Sequence, residues 1–159
     1  MRQRLRRASR LTPTDWATLA RASVLLLQAD LCLRGLGFAA TRSLFAPKSP
    51  PQPTPLTASQ QQTIERLGYL VAVAAQFHVL PSSCLTRSLV LQRLLGRAGI
   101  HADLRIGVRK EDGQVLAHAW LESDGQAIAE NVEVEERFAP LVPADSGSEV
   151  LGKNADVRG

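Results

Sequence analysis

The chain has 159 residues, which is enough for one domain with a modest hydrophobic core and too few for two. Its hydrophobic fraction of 45% and charged fraction of 21% lie in the ordinary globular range. Two cysteines without a CxxC pair cannot form a disulfide framework, so nothing argues for secretion. No stretch approaches the roughly 20 apolar residues of a membrane-spanning helix. We therefore expect a soluble, cytoplasmic protein.

The positive charge is concentrated at the start of the chain. The formal net charge is +4, and the first ten residues contain five arginines: Arg2, Arg4, Arg6, Arg7 and Arg10. Such an arm can stay solvated or can meet nucleic acid, an anionic membrane surface or an acidic peptide. Of these partners we keep a weak contact with a membrane surface as an expectation, and we expect no nucleic acid.

The first predicted helix is unusually apolar. Thr12-Pro13-Thr14-Asp15 is a helix-start signal with Thr12 or Thr14 as the N-cap, and the helix is predicted from about Trp16 to about Leu36. Apolar residues run most of the way round it, which indicates burial on more than one side. The helix therefore either packs on the domain core or docks a partner.

Five prolines between residues 47 and 55 predict an extended connector. They divide the chain into a basic N-terminal segment with the apolar helix (1–46), the connector (47–58), a compact core (59–142) and a flexible tail (143–159).

The core is predicted to contain two helices followed by two hairpins. Capping boxes at Thr57 with Gln60, or at Ser59 with Gln62, start the first of these helices. Turn signals at residues 112–113 and 124–125 separate three antiparallel strands. The predicted elements are helices Ser59 to Phe77 and Ser83 to about Arg97, ended by Gly99, and strands Ile100 to Val108, Val115 to Glu122 and Gln126 to about Val132. The fold class is therefore α+β.

Cys84 lies at the start of the second core helix. Pro81 cannot continue a preceding helix, and Ser82 or Ser83 can cap a new one, so Cys84 falls in its first turn. The unpaired N–H groups and the positive end of the helix dipole favour a thiolate there. His118 lies in the middle of a later predicted strand. A cysteine at a helix start and a histidine on a strand are two members of a cysteine-nucleophile site.

A third group should orient the imidazole from the neighbouring strand. A three-residue loop at 123–125 would set Glu130 opposite His118, and a two-residue loop would set Asn131 there instead. We prefer Glu130, with Asn131 as the runner-up. Glu122 and Asp124 are candidates for the acid only if Glu130 fails.

The remaining polar and aromatic residues have more ordinary interpretations. Cys32 is a core or interface residue, Trp120 either packs or shields the catalytic imidazole, and Arg87 is either solvated or part of a substrate groove. A side-chain donor to an oxyanion could come from Gln76 or His78. His78 and His101 lack the spacing of zinc ligands, so we expect no metal and no cofactor.

The stretch from Leu80 to Glu122 resembles the stand-alone leader peptidase among the lasso-peptide biosynthesis B proteins. The matching pieces are Leu80-Pro81, Cys84-Leu85-x-Arg87-Ser88-Leu89-x-Leu91, Gly99-Ile100, Ile106-Gly107-Val108 and Ala117-His118-Ala119-Trp120-Leu121-Glu122. The resemblance implies a transglutaminase-like (papain-like) core, with the Cys helix packed on a small antiparallel sheet behind a long N-terminal helix.

The resemblance also implies a catalytic triad and partners. The triad would be Cys84, His118 and Glu130, where the family more often carries Asp. The substrate would be a lasso precursor peptide, whose leader is removed so that a separate ATP-dependent cyclase can close the macrolactam. A separate leader-recognition protein is implied as well. Two other functions remain open on the same residues: another acyl-transfer enzyme, such as a transglutaminase or deamidase, and a non-catalytic scaffold for a cyclase.

Overall fold

The computed structural model describes residues 11–47, 55–78, 80, 82–111, 114–123, 125–129 and 139–140. Within these residues the helices are α1 (Pro13–Gly35), α2 (Gly37–Phe45), α3 (Ala58–Gln76) and α4 (Cys84–Arg97). The strands are β1 (Asp103–Glu111), β2 (Gln114–Ser123), β3 (Gln126–Ile128) and the two-residue β4 (Ala139–Pro140). The predicted α+β class is confirmed. The basic arm 1–10, most of the proline-rich connector and the tail 143–159 lie outside the described residues.

The two longest helices, α1 and α3, each begin with a capping box. Thr12, rather than Thr14, caps α1: its hydroxyl accepts the Asp15 N–H, and the Asp15 carboxylate accepts the Thr12 N–H. Thr57, rather than Ser59, caps α3 in the same way with Gln60. Each box satisfies N–H groups that the first helical turn leaves unpaired.

α1 packs on the domain core, which was the first of the two alternatives predicted for this helix. Its inward face joins α3 and α4 in one apolar cluster, through residues that include Ala22, Leu26, Ile64, Leu89 and Leu95. Outside this cluster, Arg66 of α3 forms a two-pronged ion pair with Asp15, with Nε–Oδ1 at 3.0 Å and Nη2–Oδ2 at 2.5 Å. The Arg66 guanidinium and the Thr12 hydrogen bonds hold the pKa of Asp15 well below its usual range.

By length and composition α1 also qualifies as a membrane span, contrary to the expectation from the sequence. It has 23 residues, and its most apolar 18-residue window has a mean hydropathy of 1.3. Mostly buried core helices of soluble proteins and signal sequences near an N-terminus pass the same test, and 28% of this window is buried. The inward face of α1 is such a core face, and its two carboxylates are bonded to α3 and α4.

The sheet is antiparallel, with strand order β3-β2-β1-β4. β1 begins at Asp103 and not at Ile100 as predicted, because Ile100 closes α4 instead. The Ile100 N–H donates to the Leu95 carbonyl at 2.9 Å, and Gly99 adopts a φ of +73°. This closure satisfies carbonyls at the helix end and requires a residue that tolerates a positive φ.

β3 ends at Ile128, so the strand predicted to about Val132 is interrupted at Ala129, and residues 130–132 lie outside the described residues. Ala129 has a φ of 60°, a left-handed conformation that an L-residue rarely adopts and that turns the chain out of the strand. Ala129 also lies against α3 at Gly68, where an added Cβ would stand 2.8 Å from the Ala129 Cβ. A glycine at position 68 therefore lets the end of the hairpin approach the helix.

Candidate active site

The first turn of α4 presents Cys84. Ser83 is the N-cap, in extended backbone geometry, and its Oγ accepts the Thr86 N–H at 3.1 Å. Cys84 is the first helical residue and is half-buried. The prediction that a serine cap starts this helix at Cys84 is confirmed. No acidic residue occupies this first turn.

Asp30 of α1 supports the same turn from outside. The Thr86 Oγ1 donates to Asp30 Oδ1 at 2.8 Å and also lies 2.9 Å from the Ser83 hydroxyl. Asp30 is buried, and its Oδ2 has no hydrogen-bond partner among the described residues. A carboxylate near a helix N-terminus interacts favourably with the dipole. α1 therefore helps to hold the turn that carries Cys84.

One stripe of α4 faces the sheet. Ser88 and Gln92 follow Cys84 at intervals of one turn, so the three residues share a helix face. Ser88 Oγ donates to the Ala119 carbonyl at 3.0 Å, and Gln92 Nε2 donates to the Ala102 carbonyl at 2.8 Å. Both carbonyls belong to the main chain in or beside the central strands.

These two bonds give the direction of α4 relative to β2. Ala102 precedes Asp103, which pairs with Glu122, so Gln92 lies near the C-terminal end of β2 and Ser88 lies nearer its middle. Cys84 lies one helical turn before Ser88, and His118 is the residue before Ala119. The stripe therefore brings the start of α4 toward the backbone of β2 beside His118.

His118 lies in β2 opposite Gly107 of β1 and is half-buried. Its ring is parallel to that of Trp120, with ring centroids 6.3 Å apart and an interplanar angle of 13°. The two side chains share one face of β2, because alternate residues of a strand point to the same side. The alternate residue Leu121 and its register partner Ile128 pack in the helical core, so the His118 row lies on the other face.

Trp120 and Glu122, which lie on the same face of β2 as His118, are hydrogen-bonded to each other. Trp120 is 2% exposed, and its Nε1 donates to Glu122 Oε1 at 3.0 Å. Glu122 Oε2 accepts from Arg105 Nε at 2.7 Å. Both oxygens of Glu122 are thus engaged in structural bonds, which makes it a poor candidate for the catalytic acid.

The register of the second hairpin bears on the third catalytic group. Leu121 pairs with Ile128 and Ser123 with Gln126, which is the register of a two-residue loop. The preferred three-residue loop is therefore wrong. Continued past Ile128, the observed register would set Asn131 rather than Glu130 opposite His118, but β3 stops first. Glu130, Asn131 and Asp124 lie outside the described residues, so the Glu130 assignment stays a prediction.

The remaining candidates lie around this centre. His78 contacts both main-chain groups of Leu80 through Nδ1, at 3.0 and 3.2 Å, and so braces the loop before α4. Gln76 and Arg87 are exposed, and Cys32 is half-buried in the last turn of α1. In the part of the chain that the structure describes, no cluster of His, Cys, Asp and Glu could hold a metal ion.

Sequence reasoning missed the residues that position the site. Ser88 could have been found, because a serine one turn after a helix-start cysteine faces the same way. Asp30 also carried a signal, since a carboxylate within an apolar helix needs a buried partner. The distant partners of both, Ala119 and Thr86, could not be read from local spacing.

A family model described as the transglutaminase-like superfamily matches residues 23–143, a span that includes most of α1, all of α4 and the His118 strand. The chain belongs to the transglutaminase-like superfamily. Comparisons with curated proteins and with solved structures found no match. The superfamily includes cysteine proteases and acyltransferases, so a cysteine at a helix start is the expected nucleophile.

The candidate site is divided between two layers. The helical layer carries Cys84 and the sheet carries His118. The Ser88–Ala119 bond ties the two layers together next to both residues. An acyl carbonyl bound at this junction would meet both the thiol and the N–H groups at the start of α4.

Proposed function

We propose that this protein is a cysteine peptidase that removes the leader from a ribosomally made lasso-peptide precursor. The observation that carries the proposal is the α4 stripe, on which Cys84 stands one turn before a serine bonded to the main chain beside His118. The superfamily assignment supports the cysteine chemistry, and the resemblance of residues 80–122 to lasso-peptide B proteins supports the substrate.

In the proposed reaction His118 takes the proton from Cys84 Sγ, and the thiolate attacks the scissile carbonyl. The Cys84 N–H at the helix start donates to the resulting oxyanion. His118 then gives its proton to the leaving amine, and the peptide carbonyl remains on Sγ as a thioester. Water hydrolyses the thioester, which frees the leader and restores the thiol.

The side chain of His118 lies on the face of β2 opposite Leu121, whereas α4 packs on the Leu121 face. In our proposal the imidazole and the Cys84 thiol therefore come together beside the main chain of β2. The first turn of α4, rather than the body of the helix, therefore has to present Cys84. In our proposal Glu130 orients the imidazole, and Asn131 takes this role if the hairpin register continues past the turn at Ala129. A carboxylate stabilises the imidazolium more strongly than an amide does.

The proposed partners follow from the proposed substrate. A separate leader-recognition protein would deliver the precursor, and an ATP-dependent cyclase would use the product in the cytoplasm. Apolar surface for the peptide is available at Phe77, which is 80% exposed, and at Leu116, two residues before His118.

Mass spectrometry of the precursor tests the function. The precursor and a leader-recognition protein are incubated with the wild type, with Cys84→Ala and with Cys32→Ala as the matched control. We expect two fragments from the wild type and from Cys32→Ala, and an intact precursor with Cys84→Ala. An intact precursor of changed mass would instead identify a transglutaminase or deamidase. Cleavage by Cys84→Ala at the wild-type rate would exclude Cys84 as the nucleophile.

A cross-linking experiment tests the geometry separately. In a Cys32→Ser background, His118→Cys is combined with Cys84 and treated with dibromobimane, which becomes fluorescent when it bridges two thiols. We expect bridging for this pair and none for Cys84 with Ala20→Cys, whose residue is exposed on α1 and lies about 15 Å along the helix from Asp30, the α1 residue that is bonded to the first turn of α4. If the 84–118 pair does not bridge, the two groups do not form a catalytic pair.

A further inference from the structure

α1 has a second apolar face, which points away from the core. Trp16, Val24, Leu27 and Leu31 are large apolar residues exposed at 63%, 57%, 41% and 58%. With the exposed Ala20 they are spaced three or four positions apart, so they form one stripe along the helix. At 100° per residue this stripe lies nearly opposite the buried face that contains Ala22 and Ala29.

The exposed charge on α1 itself has a single sign. Both acidic residues of α1 are turned inward and bonded, Asp15 to Arg66 and Asp30 to Thr86. The exposed charged residues of α1 are Arg21 and Arg34. Residues 1–56 contain nine basic and two acidic side chains, whereas residues 57–159 contain ten and thirteen. The apolar stripe thus lies in the positive part of a chain whose remainder is negative.

We propose that the exposed stripe of α1 binds the surface of an anionic lipid bilayer, with the helix axis in the plane of the membrane. Apolar side chains that enter the boundary between headgroups and acyl chains, beside arginines that meet anionic headgroups, are the pattern of an interfacial helix. Trp16 is the first residue of the stripe and follows the five N-terminal arginines in the sequence, and tryptophan favours this boundary.

The buried contacts of α1 argue for lying on the membrane rather than crossing it. A spanning α1 would have to give up the Asp15–Arg66 ion pair and the Asp30–Thr86 bond, leaving two carboxylates in hydrocarbon. It would also have to withdraw Ala22 and Leu26, both completely buried, from the core. An in-plane helix keeps all of these contacts and covers only the outer stripe.

Charge also favours a lipid surface over a second copy of the chain. A symmetric pairing of two α1 stripes would bring the exposed Arg21 and Arg34 of both copies to one interface, and like charges across an interface disfavour association. An anionic bilayer complements the same charges. The proposal does not depend on the peptidase activity, because neither Cys84 nor His118 belongs to the stripe.

Tryptophan fluorescence tests the proposal directly. The chain has two tryptophans, the exposed Trp16 and the buried Trp120. The full chain is mixed with vesicles of phosphatidylcholine alone or of phosphatidylcholine with phosphatidylglycerol. We expect a blue shift and co-flotation with the phosphatidylglycerol vesicles, both weakened by added salt. Trp16→Phe should remove the blue shift and leave the emission of Trp120 unchanged.

Variants of the stripe separate the possible occupants. Leu27→Glu with Leu31→Glu should weaken flotation about tenfold or more, and Arg21→Gln about fivefold. Val115→Glu, at an exposed apolar residue of β2, is the matched control and should bind like the wild type. Circular dichroism and alkylation of Cys84 report whether each variant is folded.

Three results would overturn the proposal. The first is the absence of flotation by the full chain, and the second is equal flotation on neutral and anionic vesicles. The third is a stable dimer or a protein complex that Leu27→Glu disrupts while flotation is unaffected, since the stripe would then be a protein interface.

Discussion

α1 and α4 begin in the same way but use their first turns differently. Each starts on a hydroxyl N-cap, Thr12 in α1 and Ser83 in α4. The first turn of α1 contains its own carboxylate, Asp15, which is paired with Arg66. The first turn of α4 contains no acid and has Cys84 at its first position.

This difference separates a helix start that contains its own carboxylate from one whose first position is a thiol. In α1 the positive end of the dipole is met by a permanent carboxylate, so no other anion is needed there. In α4 a carboxylate of another helix, Asp30, is bonded to Thr86 rather than to the start of the turn. The first position of α4 is left to a thiol, which is the nucleophile in our proposal.

Cys84→Asp should give the largest effect, since it makes α4 resemble α1. We expect leader removal to fall about a thousandfold or more, because the nucleophile is lost. We also expect the free energy of unfolding to rise by about 0.5 kcal/mol, because a carboxylate now meets the dipole. Urea denaturation compares this variant with Cys84→Asn, which has no charge. Equal stability of the two variants would show that this position does not favour an anion.

Ser83→Ala and Thr57→Ala compare the cap beside the site with a cap far from it. Each removes a hydroxyl that satisfies an N–H of the first turn, so each should cost about 1 kcal/mol of stability. Only Ser83→Ala should also lower leader removal, by about tenfold, because a misplaced nucleophile reacts slowly. Equal cleavage by the two variants, measured at matched folded fractions, would count against a positioning role for the cap.

Asp30→Asn tests the carboxylate by which α1 is bonded to the first turn of α4. It keeps an oxygen for the Thr86 hydroxyl but removes the charge, so we expect a loss of about 1 kcal/mol and a few-fold slower cleavage. A double-mutant cycle with Thr86→Val measures the coupling between the two side chains. Additive effects of the two substitutions would mean that the bond does not hold the turn.

Asp15→Asn should have the smallest effect on the reaction. Because the pKa of Asp15 is lowered in the folded state, its contribution to stability is present above about pH 4, the ordinary value, and is lost as the pH falls toward the lowered one. The wild type should therefore exceed the variant in stability at neutral pH, and the difference should shrink below about pH 4. Cleavage at neutral pH should be unchanged. A stability difference that is independent of pH would mean that the ion pair is not its source.

The features predictable from the sequence are those set by neighbouring residues. The capping signals at Thr12, Thr57 and Ser83, the glycine closure at Gly99 and the parity that puts His118 beside Trp120 all follow from spacing within a few residues. These local rules were sufficient to set Cys84 at the start of a helix and His118 within a strand.

The features that the sequence did not predict depend on distant packing. The turn at Ala129 coincides with a close approach to Gly68, about sixty positions earlier in the chain, and no local pattern announces it. The same turn ends β3 before the residues from which the third catalytic group was expected. The bond from Asp30 to Thr86 likewise joins helices that are distant in sequence.

The far end of α4 is closed by main-chain bonds and bonded to the chain that enters β1. Gly99 and Ile100 donate to carbonyls of the last turns, and Gln92 donates to the Ala102 carbonyl, so we expect a tilt of α4 to displace its first turn more than its last. A helix of 14 residues is about 21 Å long, and a tilt of about 5° would carry its first residue by about 2 Å. The sulfur of Cys84 therefore moves farthest in any rocking of the helix. Ser88 is bonded to Ala119 of β2 and Thr86 to Asp30 of α1, both within the first half of α4. At this end of the helix a single hydrogen bond restrains the largest displacement.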